Sequence, residues 1–195
     1  MKAAPKSKAY HHGDLRKALR DAALAILEED GLAELSLRAV ARRAGVSHAA
    51  PYRHYPNHEA LLVELAVEGF LELRAEIAAA AAAPSQKSDR ITGIGGTYMR
   101  FAVRRPALAK LMFGPQIPNR DRHAELSDAA EAIGVEIGTA LDDQILGLAV
   151  WAAVHGLAML ALDNVIDLGQ RHAGLNVLPS RAEILLRSLV ATRRE

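Results

Sequence analysis

Residues 36–58, SLRAVARRAGVSHAAPYRHYPNH, constrain this chain more than any other stretch, because their spacing asks for two short helices joined by a tight turn. Leu37, Val40, Ala41 and Ala44 fall at i, i+3, i+4 and i+7, giving one apolar face to a helix entered through Ser36, whose hydroxyl suits an N-cap. Gly45 stops that helix and Ser47 is placed to cap another, leaving a turn of about three residues that forces a steep crossing. The second helix, expected over His48 to Tyr55, is too short and too polar to be stable by itself, so it must rest on a scaffold and offer its outer face to a partner. That face carries His48, Tyr52, Arg53 and His54, all hydrogen-bond donors suited to phosphates or base edges. Ala49 and Ala50 between them are small enough to let a partner come close. The expectation is a helix-turn-helix over 36–55 that reads DNA.

The segment GVSHAAPYRHYPNHEALL resembles the recognition signature of the TetR family of bacterial transcriptional repressors, a Gly-Val-Ser start, a Tyr-x-His-aromatic centre and a Lys-Glu-x-Leu end. Gly45, Val46, Ser47, Tyr52, His54, Tyr55, Glu59 and Leu61 match it, and the similarity reaches back through a first helix over residues 14–29. The resemblance implies that Ser36, Ser47, Tyr52, His54 and His58 bind backbone phosphates, while His48, Ala49 and Ala50 face base edges. Arg38 and Arg53 are candidates for phosphate contacts or for salt bridges. His58 stands where a lysine is common, which weakens that phosphate contact near neutral pH. Pro51 stands where a leucine is usual; in the first turn its missing N–H is expected to cost little but to alter the helix pitch. No Arg or Lys occupies the first reading positions, so specificity is expected to lean on thymine methyls, on His48 and on DNA shape.

Apolar residues make up 50% of the 195-residue chain but aromatics only 4%, which favours helix over sheet. With no sustained alternation of period two, the chain is expected to be all-α with about nine helices. The absence of cysteine excludes disulfides and thiolate metal sites, and the N-terminus lacks the apolar stretch of a secretory signal, so a cytoplasmic location is expected. Net charge is +1, but residues 1–60 carry 10 Lys and Arg against 7 Asp and Glu, together with five of the eight histidines. This distribution suits a DNA-binding N-terminal part and equally fits ordinary surface scatter.

Residues 1–13 read as a flexible basic arm, 14–74 as the DNA-binding domain and 75–195 as a ligand-binding and dimerisation domain. A helix capped by Asn57 carries Leu61, Leu65, Ala66, Phe70, Leu73 and Ile77 on one face to about Ala83, linking both domains, and Pro84–Ser88 follows as a linker. Asp89–Arg104 shows an interrupted helical pattern whose GIGG is read as a packing or kink device, since it lacks the Lys-Ser/Thr of a phosphate loop. Helical spacing recurs over Pro106–Met112 and Asn119–Leu141. Ile145–Leu162 is apolar all round and is expected to be buried on several sides rather than in a membrane, because aspartates flank it and His155 interrupts it. After a loop over 167–178, Ser180-Arg-Ala-Glu183 is expected to form a capping box opening a last helix with Leu185, Leu186, Leu189 and Val190. The helices at about 142–167 and 180–193 are expected to pair with those of a second copy.

Trp151, His155 and Gly156 form a Trp-x-x-x-His-Gly arrangement that resembles one C-terminal subtype of the family. It reads either as a ligand-pocket wall or as a packing motif, with Phe101, Met112, Phe113 and Met159 as further candidates for an apolar cavity. No catalytic cluster, cofactor motif or metal-ligand spacing emerges, so the chain is not expected to be an enzyme. The expected partners are a double-stranded DNA operator, a second copy and an unknown small-molecule effector, with no membrane. The competing reading is a small-molecule-binding helical dimer with weak or lost DNA binding.

Overall fold

The computed structural model describes residues 12–82 and 86–191, and among them there are nine α-helices and no strand. The chain divides into two compact units after Leu61.

In the first unit, α1 (His12–Glu29) begins two residues before the expected Asp14, while the rest of the basic arm, including Lys2, Lys6, Lys8 and His11, lies outside the described residues. Its face of Leu19, Ala22, Ala23, Ile26 and Leu27 is buried, and α1 packs on α2 (Leu37–Arg43), whose Leu37, Val40 and Ala41 are buried in turn. Each enclosed leucine of this kind contributes roughly 1.5–3 kcal/mol. Arg43 fastens the end of α2 to the end of α1, its guanidinium donating to Glu29 at 2.6 Å and to Asp30 at 3.0 Å.

The helix α3 (His58–Ala81) is capped as expected, with Asn57 Oδ1 accepting from Ala60 N at 2.8 Å, and it continues into the second unit. There Leu65, Ala66, Phe70, Leu73 and Ile77 are completely enclosed. The helix ends at Ala81, and positions 83–85, with Ala83, Pro84 and Ser85, lie outside the described residues. The remaining helices are α4 (Lys87–Arg104), α5 (Pro106–Phe113), α6 (Ala124–Leu141), α7 (Gln144–Leu162), α8 (Gln170–Ala173) and α9 (Leu178–Ala191).

Several expectations for this unit are corrected. The helix α4 runs without the interruption its pattern suggested, while the packing reading of GIGG holds at Gly95 and Gly96, where a Cβ would lie 2.0 Å from Leu186 Cδ1 and 2.3 Å from Glu183 Oε1 of α9. The pattern over 119–141 is broken, since Asn119 takes a left-handed conformation and Arg120–Arg122 form a 3-10 turn before α6 starts. The loop over 167–178 contains α8 and a 3-10 turn, Leu175–Val177, that leads straight into α9. With the helix already under way at Leu178, Ser180 lies inside the first turn and no capping box forms; Glu183 instead meets Arg100 at 3.4 Å.

The α6–α7 hairpin turns on two adjacent aspartates. Asp142 ends α6 in the left-handed region, and Asp143 caps α7 by accepting from Leu146 N at 2.9 Å. Although α7 is long and apolar enough to cross a membrane, it packs here on α4, α6 and α9. Within this chain 33% of its apolar window is buried, so of the two expected kinds of cover, a domain core or a second subunit, the core supplies only part. Val150, Val154, Ala158 and Ala161 face inward, whereas Ile145, Leu148 and Leu160 are exposed by 84%, 58% and 43%.

Candidate DNA-reading surface and candidate ligand cluster

The scaffold of the reading segment follows the sequence closely as far as residue 47. Ser36 Oγ accepts from Ala39 N at 3.2 Å and caps α2, leaving its hydroxyl proton free to meet a phosphate. Gly45 takes φ +68°, a left-handed conformation that glycine adopts without Cβ strain. Around it, Gly45 N donates to Arg42 O and Val46 N to Ala41 O, the paired bonds of a Schellman motif that close the helix.

Beyond Ser47 the expected α-helix over His48–Tyr55 is replaced by a turn at 48–50 and a 3-10 turn, Pro51–Arg53. Pro51 supplies the reason. In a helix capped by Ser47, residue 51 would make the first bond back to the Ser47 carbonyl, and proline has no N–H to give. Ala50 N donates to that carbonyl instead, at 2.9 Å, and Arg53 N and His54 N continue with three-residue bonds to Ala50 O and Pro51 O. Only Tyr55 N, bonded to Pro51 O at 2.9 Å, restores helical spacing. The altered pitch expected at Pro51 thus takes the form of a 3-10 turn in place of the α-helix.

Pro51 and Tyr55 are the buried anchors of the segment, with Tyr55 only 1% exposed. Tyr52, by contrast, is 52% exposed. Ser36, Arg38, Ser47, His48, Ala49, Arg53 and His58 are also exposed, and Ala50 and His54 are half-buried. Neither Arg38 nor Arg53 makes an ion pair among the described residues, so both guanidinium groups remain available to phosphates. The ten candidates are thus assembled at the surface of one unit by α2, the 3-10 turn and the start of α3.

The second candidate site lies within the larger unit, where an aromatic cluster surrounds Phe113 at the end of α5. Its ring centroid is 4.3 Å from that of His155, 6.3 Å from Trp151, 5.0 Å from Phe70 and 6.4 Å from Tyr98. Edge contacts of this type contribute roughly 0.5–1.5 kcal/mol per pair beyond their area. The structure thus brings together Phe113, Trp151 and His155 and adds Phe70 and Tyr98, which the sequence reading did not select. Tyr98 lies four and seven residues after the buried Ile94 and Ile91, so a lone hydroxyl on an apolar stripe was its signal.

Phe101 and Met112 are buried but are no part of the ring cluster. Arg104 lies over the Phe101 ring at 5.7 Å, and Met112 packs where a Cβ on Gly69 of α3 would stand. Met159 is half-buried near the end of α7. Nothing among the described residues lies within 4 Å of where a Cβ on Gly156 would be.

Two polar features distinguish the cluster from a plain core. The Tyr98 hydroxyl and His155 Nδ1 lie 2.8 Å apart, and burial holds the imidazole below the usual histidine range while pushing the phenol above its own. Trp151 Nε1 is buried with no hydrogen-bond partner among the described residues. Close by in sequence, Arg120 donates to the Met112 carbonyl while its other terminal nitrogen is likewise buried and unpartnered. No group of three side chains suited to a metal ion occurs among the described residues.

Two helices held across a short turn, with an exposed row of donors after them, define a helix-turn-helix type of DNA-binding protein carrying a separate helical unit. Residues 19–65 match the family of bacterial regulatory proteins called tetR, and residues 91–175 match the tetracyclin repressor-like C-terminal domain. The chain belongs to the tetR family. It is 26% identical over 187 residues to the HTH-type transcriptional repressor KstR of Mycolicibacterium smegmatis, covering 92% of this chain and 89% of that protein. Against KstR of Mycobacterium tuberculosis it is 31% identical over 121 residues, covering 62% of this chain and about half, 53%, of the relative. A solved structure, a protein with unknown function from Rhodococcus sp. RHA1, superimposes with a TM-score of 0.70 at 31% identity, covering 93% of this chain and 98% of the other.

Proposed function

We propose that this protein is a ligand-responsive transcriptional repressor that binds a palindromic operator as a homodimer and is released by a small apolar effector. The observation that carries the reading is the outward row of Ser36, Ser47, Tyr52, His54 and His58 on a scaffold fixed by a capped α2 and a Schellman turn. Supporting it, the relatives named above as KstR are transcriptional repressors, which also favours a regulator over an enzyme and a cytoplasmic place of action. The proposed domain division sets residues 14–74 to DNA and 75–195 to effector and partner, with Trp151, His155 and Gly156 as the C-terminal subtype signature.

The homodimer reading rests on the face that α7 leaves uncovered. Ile145, Leu148 and Leu160 on α7 and Ile184 and Leu185 on α9 are large apolar side chains exposed together in the larger unit, and the same pair of helices from a second copy would cover them. Communication would run through α5. Its Phe113 lies among the cluster rings while its Met112 presses on Gly69 of α3, the helix that begins beside the reading segment. An effector that displaced Phe113 would therefore act on α3 directly.

The distorted reading segment favours one alternative, a small-molecule-binding helical dimer with weak or lost DNA binding. A mobility shift with the DNA flanking the protein's own gene separates the two. A salt-sensitive shift at sub-micromolar protein supports the repressor, and its absence supports the alternative.

A further inference from the structure

The two ring nitrogens of the Phe113 cluster that have no partner are both donors once the proton of the Tyr98–His155 bond is placed. Tyr98 is 1% exposed and its hydroxyl has no other partner among the described residues. Its proton must therefore go to His155 Nδ1, because the reverse arrangement would leave a buried O–H with no acceptor. In that tautomer His155 Nε2 carries the ring hydrogen and is a donor. Trp151, one turn earlier on α7, is a donor only, and its Nε1–H is buried without an acceptor. The indole edge bearing Cε3 and Cζ3 rests 3.4 Å from where a Cβ on Gly134 of α6 would lie, so the N–H edge is turned away from that helix.

The cluster thus holds two N–H donors beside the rings of Phe113 and Phe70, and its remaining acceptor, the Tyr98 oxygen, belongs to a side chain only 1% exposed that is already bonded to His155. Among the described residues no cation is hydrogen-bonded to Tyr98, Trp151 or His155. A donor left unpaired in such surroundings costs roughly 1–3 kcal/mol, which a bound acceptor would recover. Resting on the proposed effector site, we propose that the cluster grips the effector by an uncharged carbonyl oxygen, accepting from Trp151 Nε1–H and His155 Nε2–H, with the apolar remainder of the molecule against Phe113. A ketone, ester or amide on a hydrocarbon body is the matching class.

Trp151 is the single tryptophan, so its indole N–H gives one resonance in a proton–nitrogen correlation spectrum of the intact protein. Three soluble probes of equal chain length separate the chemistries: 2-octanone, octanoate and octylammonium. With 2-octanone the indole resonance is expected to move downfield saturably. Octylammonium, which has donors only, should bind about tenfold more weakly, the worth of one neutral hydrogen bond, and without that shift. Calorimetry on His155→Phe and Trp151→Phe should show a similar loss for 2-octanone, and unchanged helical circular dichroism would establish that both variants fold. The proposal is overturned if octylammonium binds as tightly as 2-octanone, if both variants keep wild-type affinity, or if no saturable shift occurs, in which case the cluster is packing only. Octanoate binding about tenfold tighter than 2-octanone would overturn the uncharged oxygen in favour of a carboxylate. None of these readouts involves DNA, so failure here leaves the mobility shift to judge the repressor reading by itself.

Discussion

The Tyr98 hydroxyl meets His155 Nδ1 at 2.8 Å, tying α4 to α7 through a single polar bond inside an aromatic cluster. That bond fixes the imidazole tautomer, and its partners titrate in opposite directions from their ordinary values because both are buried.

A pH dependence follows from His155. Its folded-state pKa lies below the unfolded value of about 6.5, so the unfolded chain takes up the proton first as pH falls. The contribution of neutral His155 is fully present above about pH 6.5 and declines below it towards the folded pKa. Denaturant unfolding between pH 7.5 and 5 should show wild type losing more stability than His155→Phe over this window. Parallel profiles would remove His155 from the account.

Gly95 should tolerate no side chain while Leu186 is present. Gly95→Ala would place a Cβ 2.0 Å from Leu186 Cδ1 and is expected to cost roughly 1–3 kcal/mol in thermal or denaturant unfolding. Leu186→Ala alone also destabilises, since that leucine is buried, but combined with Gly95→Ala the loss should be smaller than the sum of the two, a non-additivity that independent sites would not display.

Pro51 governs the reading segment. Pro51→Ala supplies an N–H that can bond Ser47 O in helical register in place of the Ala50 bond, so amide exchange across residues 48–55 should slow and DNA binding should tighten. Unchanged exchange would mean that the 3-10 geometry is imposed by packing of the segment rather than by the proline.

The larger unit should be half of a pair. Light scattering is expected to give twice the chain mass of 21.0 kDa, and the double variant Leu148→Glu with Leu160→Glu should reduce it to 21.0 kDa by putting charge on the uncovered α7 face. A monomeric wild type would contradict the proposed interface.

Helix boundaries were legible wherever one local rule decided them. Ser36, Gly45 and Asn57 act as the caps and stop that their types suggest, and the Leu65–Ile77 stripe is buried as its spacing requires. What was hidden depended on neighbours distant in sequence. The GIGG glycines read as a packing or kink device, but the helix they admit was hidden, since Leu186 lies ninety-one residues after Gly95. The Ser180–Glu183 capping box matched a local pattern but lost to the 3-10 turn that leads into α9. Nine helices were expected and nine occur among the described residues, yet the membership differs: the stretch over 48–55 is not an α-helix, and α8 was unforeseen. At the ligand cluster, Trp151 and His155 were visible as a spaced pair, whereas Tyr98 needed the geometry of α4 against α7 to reveal its partner.

The central claim, that the exposed row after α2 grips DNA, is tested most directly by fluorescence anisotropy on a duplex carrying the flanking sequence of the protein's own gene. Wild type should bind at sub-micromolar protein with an affinity that falls steeply with salt. Tyr52→Ala combined with His54→Ala should weaken binding by at least about a hundredfold, roughly two lost phosphate contacts, while leaving the helical spectrum and the dimer mass unchanged. Equal affinity for wild type and the double variant, or no salt-dependent binding by wild type, would contradict the account.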